Sequence, residues 1–360
     1  MAQSLSVRGL FRARRDGSYV AVSTGYALLA LALMMAVVCG VALGAYAIPL
    51  PRLGDALLMR AGEGLAAADV HVLWSIRLPR VLLAVICGAA LALGGCALQG
   101  LFRNPLADPG LIGLSAGAAL AAALAIVLGG QLFGPLARSF GLYLIPAAAL
   151  LGAALAAWLI LRLASHHGRT SVLMLLLAGI AINALCGAII GGLQFVANDD
   201  QLRNLTFWTL GSLAQGRWPV VAITAAALGL GGVVLWRLRL QLDALNLGES
   251  AAYHLGVDVQ RLKLWLLAAV TLMVGVSVAF TGIIGFIGLV APHIVRTWLG
   301  PSHRHALLAS ALLGAVLLVS ADLAARTWVA PAEMPVGVLT SLLGTPFFLM
   351  LLARRRHGFD

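Results

Sequence analysis

No charged residue stands between Asp16 and Arg52, and the apolar run from Thr24 to Tyr46 exceeds the about 20 residues a helix needs to cross a bilayer. Nine further apolar segments follow, at roughly 81–101, 110–129, 141–161, 172–195, 219–236, 264–284, 285–298, 306–325 and 336–353. Hydrocarbon offers no water to satisfy backbone N–H and C=O groups, so such runs fold as helices that close their own hydrogen bonds. The reading is an all-α, polytopic membrane protein with about ten transmembrane helices. The piece at 285–298 is short for an upright span, and Pro292 is expected to end or kink it. Composition agrees: 61% of the 360 residues are hydrophobic and only 10% charged, against about 25% charge in soluble domains, which excludes a soluble globular enzyme.

Arg12, Arg14 and Arg15 before the first run, and Ala45-Tyr46-Ala47 after it, imitate a secretory signal. The run is longer than the 7–15 residues of a signal's apolar region, and more spans follow, so it is read as the first helix. With the N-terminus inside, alternating the ten spans puts sixteen of the 24 basic residues on the inner side and eight on the outer. That excess is the membrane-orientation signature of cytoplasmic loops. It places both termini in the cytoplasm and explains the net charge of +11 without nucleic acid. The layout is a cytoplasmic segment over 1–23, a single ten-helix domain over 24–353 and a cytoplasmic tail over 354–360. Gly40-x-x-x-Gly44, Gly113-x-x-x-Gly117 and Gly187-x-x-x-Gly191 read as close helix packing within one bundle, with a subunit contact as the lesser reading for any one of them.

Several chemistries are excluded. A phosphate-cradling Walker A loop needs Gly-Lys followed by Ser or Thr, and the only lysine, Lys263, lies in Arg-Leu-Lys-Leu. The chain therefore hydrolyses no ATP of its own, and no catalytic residue is assigned. Cys39, Cys87, Cys96 and Cys186 sit in apolar stretches without ligand spacing and read as small buried hydrophobes. His-Glu-x-x-His is absent, no metal site is expected, and the eight histidines, including His166-His167 and His303/His305, fall mostly in loops and read as solvated. A proton-coupled carrier working without an ATPase is the alternative to partner-driven transport. It is weakened because most span interiors carry neutral polar groups, such as Gln99, Asn183 and Gln194, rather than the ionisable side chains that mark coupling sites. An intramembrane enzyme or a purely structural scaffold finds no acid/base or metal constellation.

The segment 241–258 is too short and too polar to span. Leu245, Ala252 and Leu255 recur at roughly helical spacing, Glu249 suits a helix start and Gly256 a stop. An amphipathic cytoplasmic helix follows, lying on lipid or docking a partner. Arg77-Leu-Pro-Arg80 and Arg326 stand on the opposite face, against the positive-inside tendency. Two readings stand for them: snorkelling to the headgroups, or pairing with carboxylates of a docking protein.

Several strings together resemble the permease family (FecCD-like) of ATP-binding-cassette importers for cobalamin, iron-siderophores and haem. They are Arg77–Arg80, Gln99–Ser115, Leu176–Asn183, Trp208–Ser212, Leu247–Ala251, Gly285–His293 and Pro335–Thr340. The resemblance spans about 24–353 and implies a type II importer fold in the bacterial inner membrane. It implies a homodimer, two cytoplasmic ATPase subunits that bind ATP and Mg, and a periplasmic binding protein. It casts Leu247, Gly248, Glu249, Ala251, Leu255 and Gly256 as coupling helices seated on the ATPase, and Arg77, Arg80 and Arg326 as docking arginines. Asn104, Leu106, Thr170 and Ser171 fall where the family narrows its path, although Asn-Pro and Arg-Thr-Ser are also turn and helix-start signals. Asn183 and Gln194 lie on a helix similar to the one lining the central path. The implied cargo is a large iron chelate, with haem favoured over ferric siderophore and cobalamin; no cofactor is bound by this chain.

Overall fold

Each apolar stretch closes its backbone hydrogen bonds as a helix in the computed structural model, which describes residues 19–44, 46, 54, 67–132 and 141–356. The helices are α1 Tyr19–Ala42, α2 Leu78–Phe102, α3 Leu114–Leu132, α4 Leu144–Ala164, α5 Val172–Val196 and α6 Asp199–Thr209. They continue as α7 Trp218–Leu245, α8 Glu249–His254, α9 Val259–Thr281, α10 Ile287–Leu299, α11 His303–Thr327 and α12 Val336–Arg356. A short helix, Ala67–His71, and a π-helical turn, Val72–Arg77, lead into α2. Seven of these helices are long and apolar enough to cross a membrane, and Leu114–Gly129 and Val336–Leu351 are shorter apolar helices. With the 13-residue α10, all ten expected segments are helical. Arg8, Arg12, Arg14, Arg15, Arg52, Arg60 and Arg138 lie outside the described residues.

The core is organised around α2, which is buried along nearly its whole length and packs on α7, α9, α10 and α11. Helices α3, α4 and α5 form a second group, joined to the first through α9. The first apolar run does not stand apart: α1 packs along α11.

Of the two outcomes expected of Pro292, ending the helix does not occur, because α10 runs through it from Ile287 to Leu299. The missing N–H removes one bond, to the Gly288 carbonyl. That carbonyl meets α2 at Gly95, where a Cβ would lie 1.8 Å from the oxygen. Gly187 and Gly191 correct another expectation. A Cβ at either would meet nothing within 4 Å among the described residues, so this pair is not packed within the subunit.

Helix α6 is not foreshadowed by the apolar pattern. It starts with a capping box: the Gln201 N–H donates to Asn198 Oδ1 at 2.9 Å, and the Asn198 N–H donates to Gln201 Oε1 at 3.0 Å. The signal was present as Asn-x-x-Gln.

Candidate functional site

Chemistry-bearing side chains gather at the two ends of the bundle. At the end where α1 stops, Arg77 and Arg326 close the last turn of that helix. Arg77 donates to the carbonyls of Val41 and Ala42, both at 2.8 Å, and to that of Tyr46; Arg326 donates to that of Gly40. A helix terminus leaves such carbonyls unpaired, and a guanidinium suits both their number and the dipole there. Arg80 is held bidentately by Asp322, at 3.0 Å from Nε and 2.9 Å from Nη2 to Oδ1. Its Nη1 donates to both oxygens of Glu333, at 2.9 and 3.0 Å. Asp322 Oδ2 also lies 3.6 Å from Arg326 Nε.

These arginines are 3–7% exposed, which corrects the snorkelling reading: their guanidinium groups are held by the chain's own carbonyls and carboxylates rather than reaching out to headgroups. Within the network, Glu333 is the member that faces outward, with its side chain half exposed. Glu333 carried no local sequence signal, since its partner Arg80 lies 253 positions away; Asp322 has a near partner in Arg326 four positions on, but its bidentate hold on Arg80 spans 242 positions.

At the opposite end, α8 is seated by Ala252, which is fully buried, while Leu247, Tyr253 and Leu255 project outward at 65–72% exposure. Gly248 (φ +114°) and Gly256 (φ +83°) bracket the helix in backbone regions that favour glycine. Beside it, α4 and α5 are joined by a hairpin, β1 Ser165–His166 and β2 Arg169–Thr170. Its two turn residues, His167 and Gly168, both have positive φ, as a tight primed turn requires. Ser171 is the N-cap of α5, so its helix-start reading holds.

Between hairpin and α8 lies a contact that sequence reasoning missed. Lys263, on the first turns of α9, is 1% exposed; its Nζ donates to the Thr170 carbonyl at 2.6 Å and pairs with Glu249 Oε1 at 2.8 Å. Gln260 Oε1 accepts from the Thr170 N–H at 2.7 Å. The signal was a lone lysine at the mouth of an apolar span. His303 was also misjudged as solvated: it is fully buried, with Nδ1 2.8 Å from Asp243 Oδ1 and Nε2 2.9 Å from Arg296 Nη2. A guanidinium only donates, so Nε2 accepts and Nδ1 carries the proton toward Asp243.

Asn104 and Leu106 form the turn after α2, where the Leu106 N–H donates to Asn104 Oδ1 at 3.0 Å. Asp108 caps the following 3₁₀ turn, and burial pushes its carboxyl above the usual range against the lowering effect of the Gly110 N–H. Asn183 Nδ2 reaches the Gly110 carbonyl at 3.3 Å, which ties α5 to that turn. Gln194 is exposed, as is much of α5, including Leu173, Leu177, Ile180 and Leu185. A separate cavity of about 570 Å3 opens among α3, α4, α6 and α9, bordered by Ile126, Pro146, Asn204, Trp208 and Phe280, with no charged side chain in its lining among the described residues. No cluster of three or more metal-ligating side chains occurs among the described residues.

The profile of the FecCD transport family matches residues 31–354. The chain is 50% identical over 288 residues to the hemin transport system permease protein HmuU of Yersinia pestis, covering 80% of this chain and 84% of that one. It is 41% identical over 296 residues to the vitamin B12 import system permease protein BtuC of Vibrio cholerae, covering 81% and 86%. A solved structure described as an inward-facing conformation of a metal-chelate type ABC transporter superposes with a TM-score of 0.80 at 30% identity, over 92% of this chain and 99% of that one.

Proposed function

The chain belongs to the FecCD transport family, and from that membership we propose that it is the membrane half of an importer that carries haem from periplasm to cytoplasm. It is a multi-pass ABC-type permease, and partner subunits hydrolyse the ATP. The observation that carries the haem assignment is the 50% identity to a hemin permease over most of both chains, against 41% to a cobalamin permease.

The functional unit is a homodimer, with the path running between the two copies. The unpacked Gly187–Gly191 face and the exposed apolar side of α5 support this arrangement, since a second copy would cover what this one leaves open. The end bearing α8 faces the cytoplasm and receives the ATPase on Leu247, Tyr253 and Leu255, with Gly248, Glu249, Ala251 and Gly256 shaping that seat. Asn104, Leu106, Thr170 and Ser171 surround the inner mouth, and Asn183 and Gln194 line the passage. The periplasmic binding protein meets the end bearing Arg77, Arg80 and Arg326. Arg80 already holds two carboxylates there, so an incoming carboxylate docks by replacing Glu333.

The test is transport into liposomes by the permease assembled with its ATPase and binding protein. ATP-dependent uptake of hemin is expected, with little uptake of cobalamin or a ferric siderophore. Uptake of cobalamin in place of hemin would overturn the cargo, and uptake on a proton gradient with no ATPase present would overturn the mechanism.

A further inference from the structure

A permease worked by an external motor needs a mechanical link from the surface the motor touches to the segment that gates the path. The side chains at the α8 end supply one. Helix α8 is only six residues long, from Glu249 to His254, and its part-exposed Glu249 reaches the buried Lys263. Thr170 closes the hairpin, and Ser171 begins α5 directly after it. Between them stands Lys263, the only lysine of the chain, with Nζ 2.8 Å from Glu249 Oε1 and 2.6 Å from the Thr170 carbonyl. The same turn of α9 holds the other side of that residue through Gln260 Oε1 and the Thr170 N–H, 2.7 Å apart.

We propose that Lys263 is a positioning residue that couples α8 to the hairpin at the start of α5, so that displacement of α8 is passed to the mouth of the path. The inference rests on the reading of α8 as the ATPase seat and names how motion leaves that seat. An ammonium group has three donors on a flexible stem and can serve acceptors on two elements at once. With its side chain 1% exposed, it finds no water to replace either partner. If α8 moves, Glu249 draws Lys263 with it, and the lysine either carries Thr170 along or leaves a buried charge half-paired, a strongly disfavoured state. Thr170 is gripped at both its N–H and its C=O, so the hairpin strand shifts as a unit and the first turn of α5 follows. Glu249 is itself part-exposed, and the pair therefore sits where contact from outside is converted into movement within.

The experiment uses the complete importer in liposomes and reads hemin accumulated per ATP hydrolysed in wild type, Lys263→Met, Glu249→Ala and the double variant. Co-purification of the ATPase subunits is measured alongside. The ratio is expected to fall about five-fold or more in Lys263→Met, the lower range of a coupling free energy between sites, with the ATPase still bound. The double variant is expected to match the worse single variant, because both break one link. A ratio unchanged in the variants while total transport falls with the amount of folded complex would overturn the link, leaving Lys263 a structural residue. Additive losses in the double variant would do the same. If Lys263→Met does not fold, Glu249→Ala decides alone, since it removes both charge and acceptor at a part-exposed site while Lys263 keeps the Thr170 carbonyl. Failure of the wild-type chain to bind the ATPase at all would instead overturn the reading of α8, and so separates the two claims.

Discussion

Asp322 shows how much one buried carboxylate can organise. It neutralises Arg80 and Arg326 at the point where α2 and α11 meet the end of α1. Removing one member of a buried, hydrogen-bonded charge set leaves its partners uncompensated, a loss of about 3–5 kcal/mol. Asp322→Ala is therefore expected to lower the thermal midpoint of the detergent-solubilised protein sharply. Glu333→Gln is expected to cost within about 1 kcal/mol, because that partner is half exposed and water replaces it. Asp108 gives a pH signature. Its pKa is raised on folding, so the folded state favours the protonated form, and the stability this contributes is present below the ordinary carboxylate value of about 4 and is lost as pH rises through the folded-state value. Asp108→Asn keeps the acceptor for the Gly110 N–H. It is expected to raise the thermal midpoint at pH 7 and flatten its pH dependence above about pH 4, measured by unfolding across a pH series.

Among the elements, the ten apolar segments were legible because a span must be long, apolar and self-bonded, and each of those properties is local. What local pattern could not say is which face of each helix finds a partner. Gly95 and Gly187 are alike in sequence, yet a Cβ on Gly95 would run into the Gly288 carbonyl and one on Gly187 would meet open space. Gly95→Ala is expected to destabilise the subunit by about 2 kcal/mol or more, as overpacking does. Gly187→Ala is expected to leave subunit unfolding unchanged or up to about 1 kcal/mol more stable, from helix propensity. If α5 meets a second copy, the same change lowers the dimer fraction, which light scattering of the purified protein reads. Helix α6 was missed because it is polar and short, while α10 continues through Pro292 because a proline costs a helix only one bond when the chain around it is packed.

Among the described residues, the two ends differ in kind. One holds Arg77, Arg80 and Arg326 in carbonyls and carboxylates, and the other presents apolar side chains on a small glycine-bracketed helix. Such a division fits a passive conduit worked from both sides: a carboxylate exchange on one face and a mechanical seat on the other. Glu333→Gln loosens the native carboxylate from Arg80 and is expected to strengthen association with the binding protein about two- to five-fold at low salt, with the gain shrinking as salt screens it. Titration of the binding protein against permease in nanodiscs checks this. Unchanged affinity would return Arg80 to a purely structural part.

The sequence by itself determined that this chain is a membrane bundle of about ten helices and where each lies along the chain. It also determined that the chain carries the strings of its family, because span length, capping and motif spacing are local properties. Only the tertiary structure decided that Arg77, Arg80 and Arg326 are held by their own chain, that His303 is buried, and that the lone lysine joins α8 to the hairpin. Those facts depend on groups brought together from distant positions. A side chain's role in a low-dielectric interior is set by the partner it finds there, and no stretch of sequence contains both.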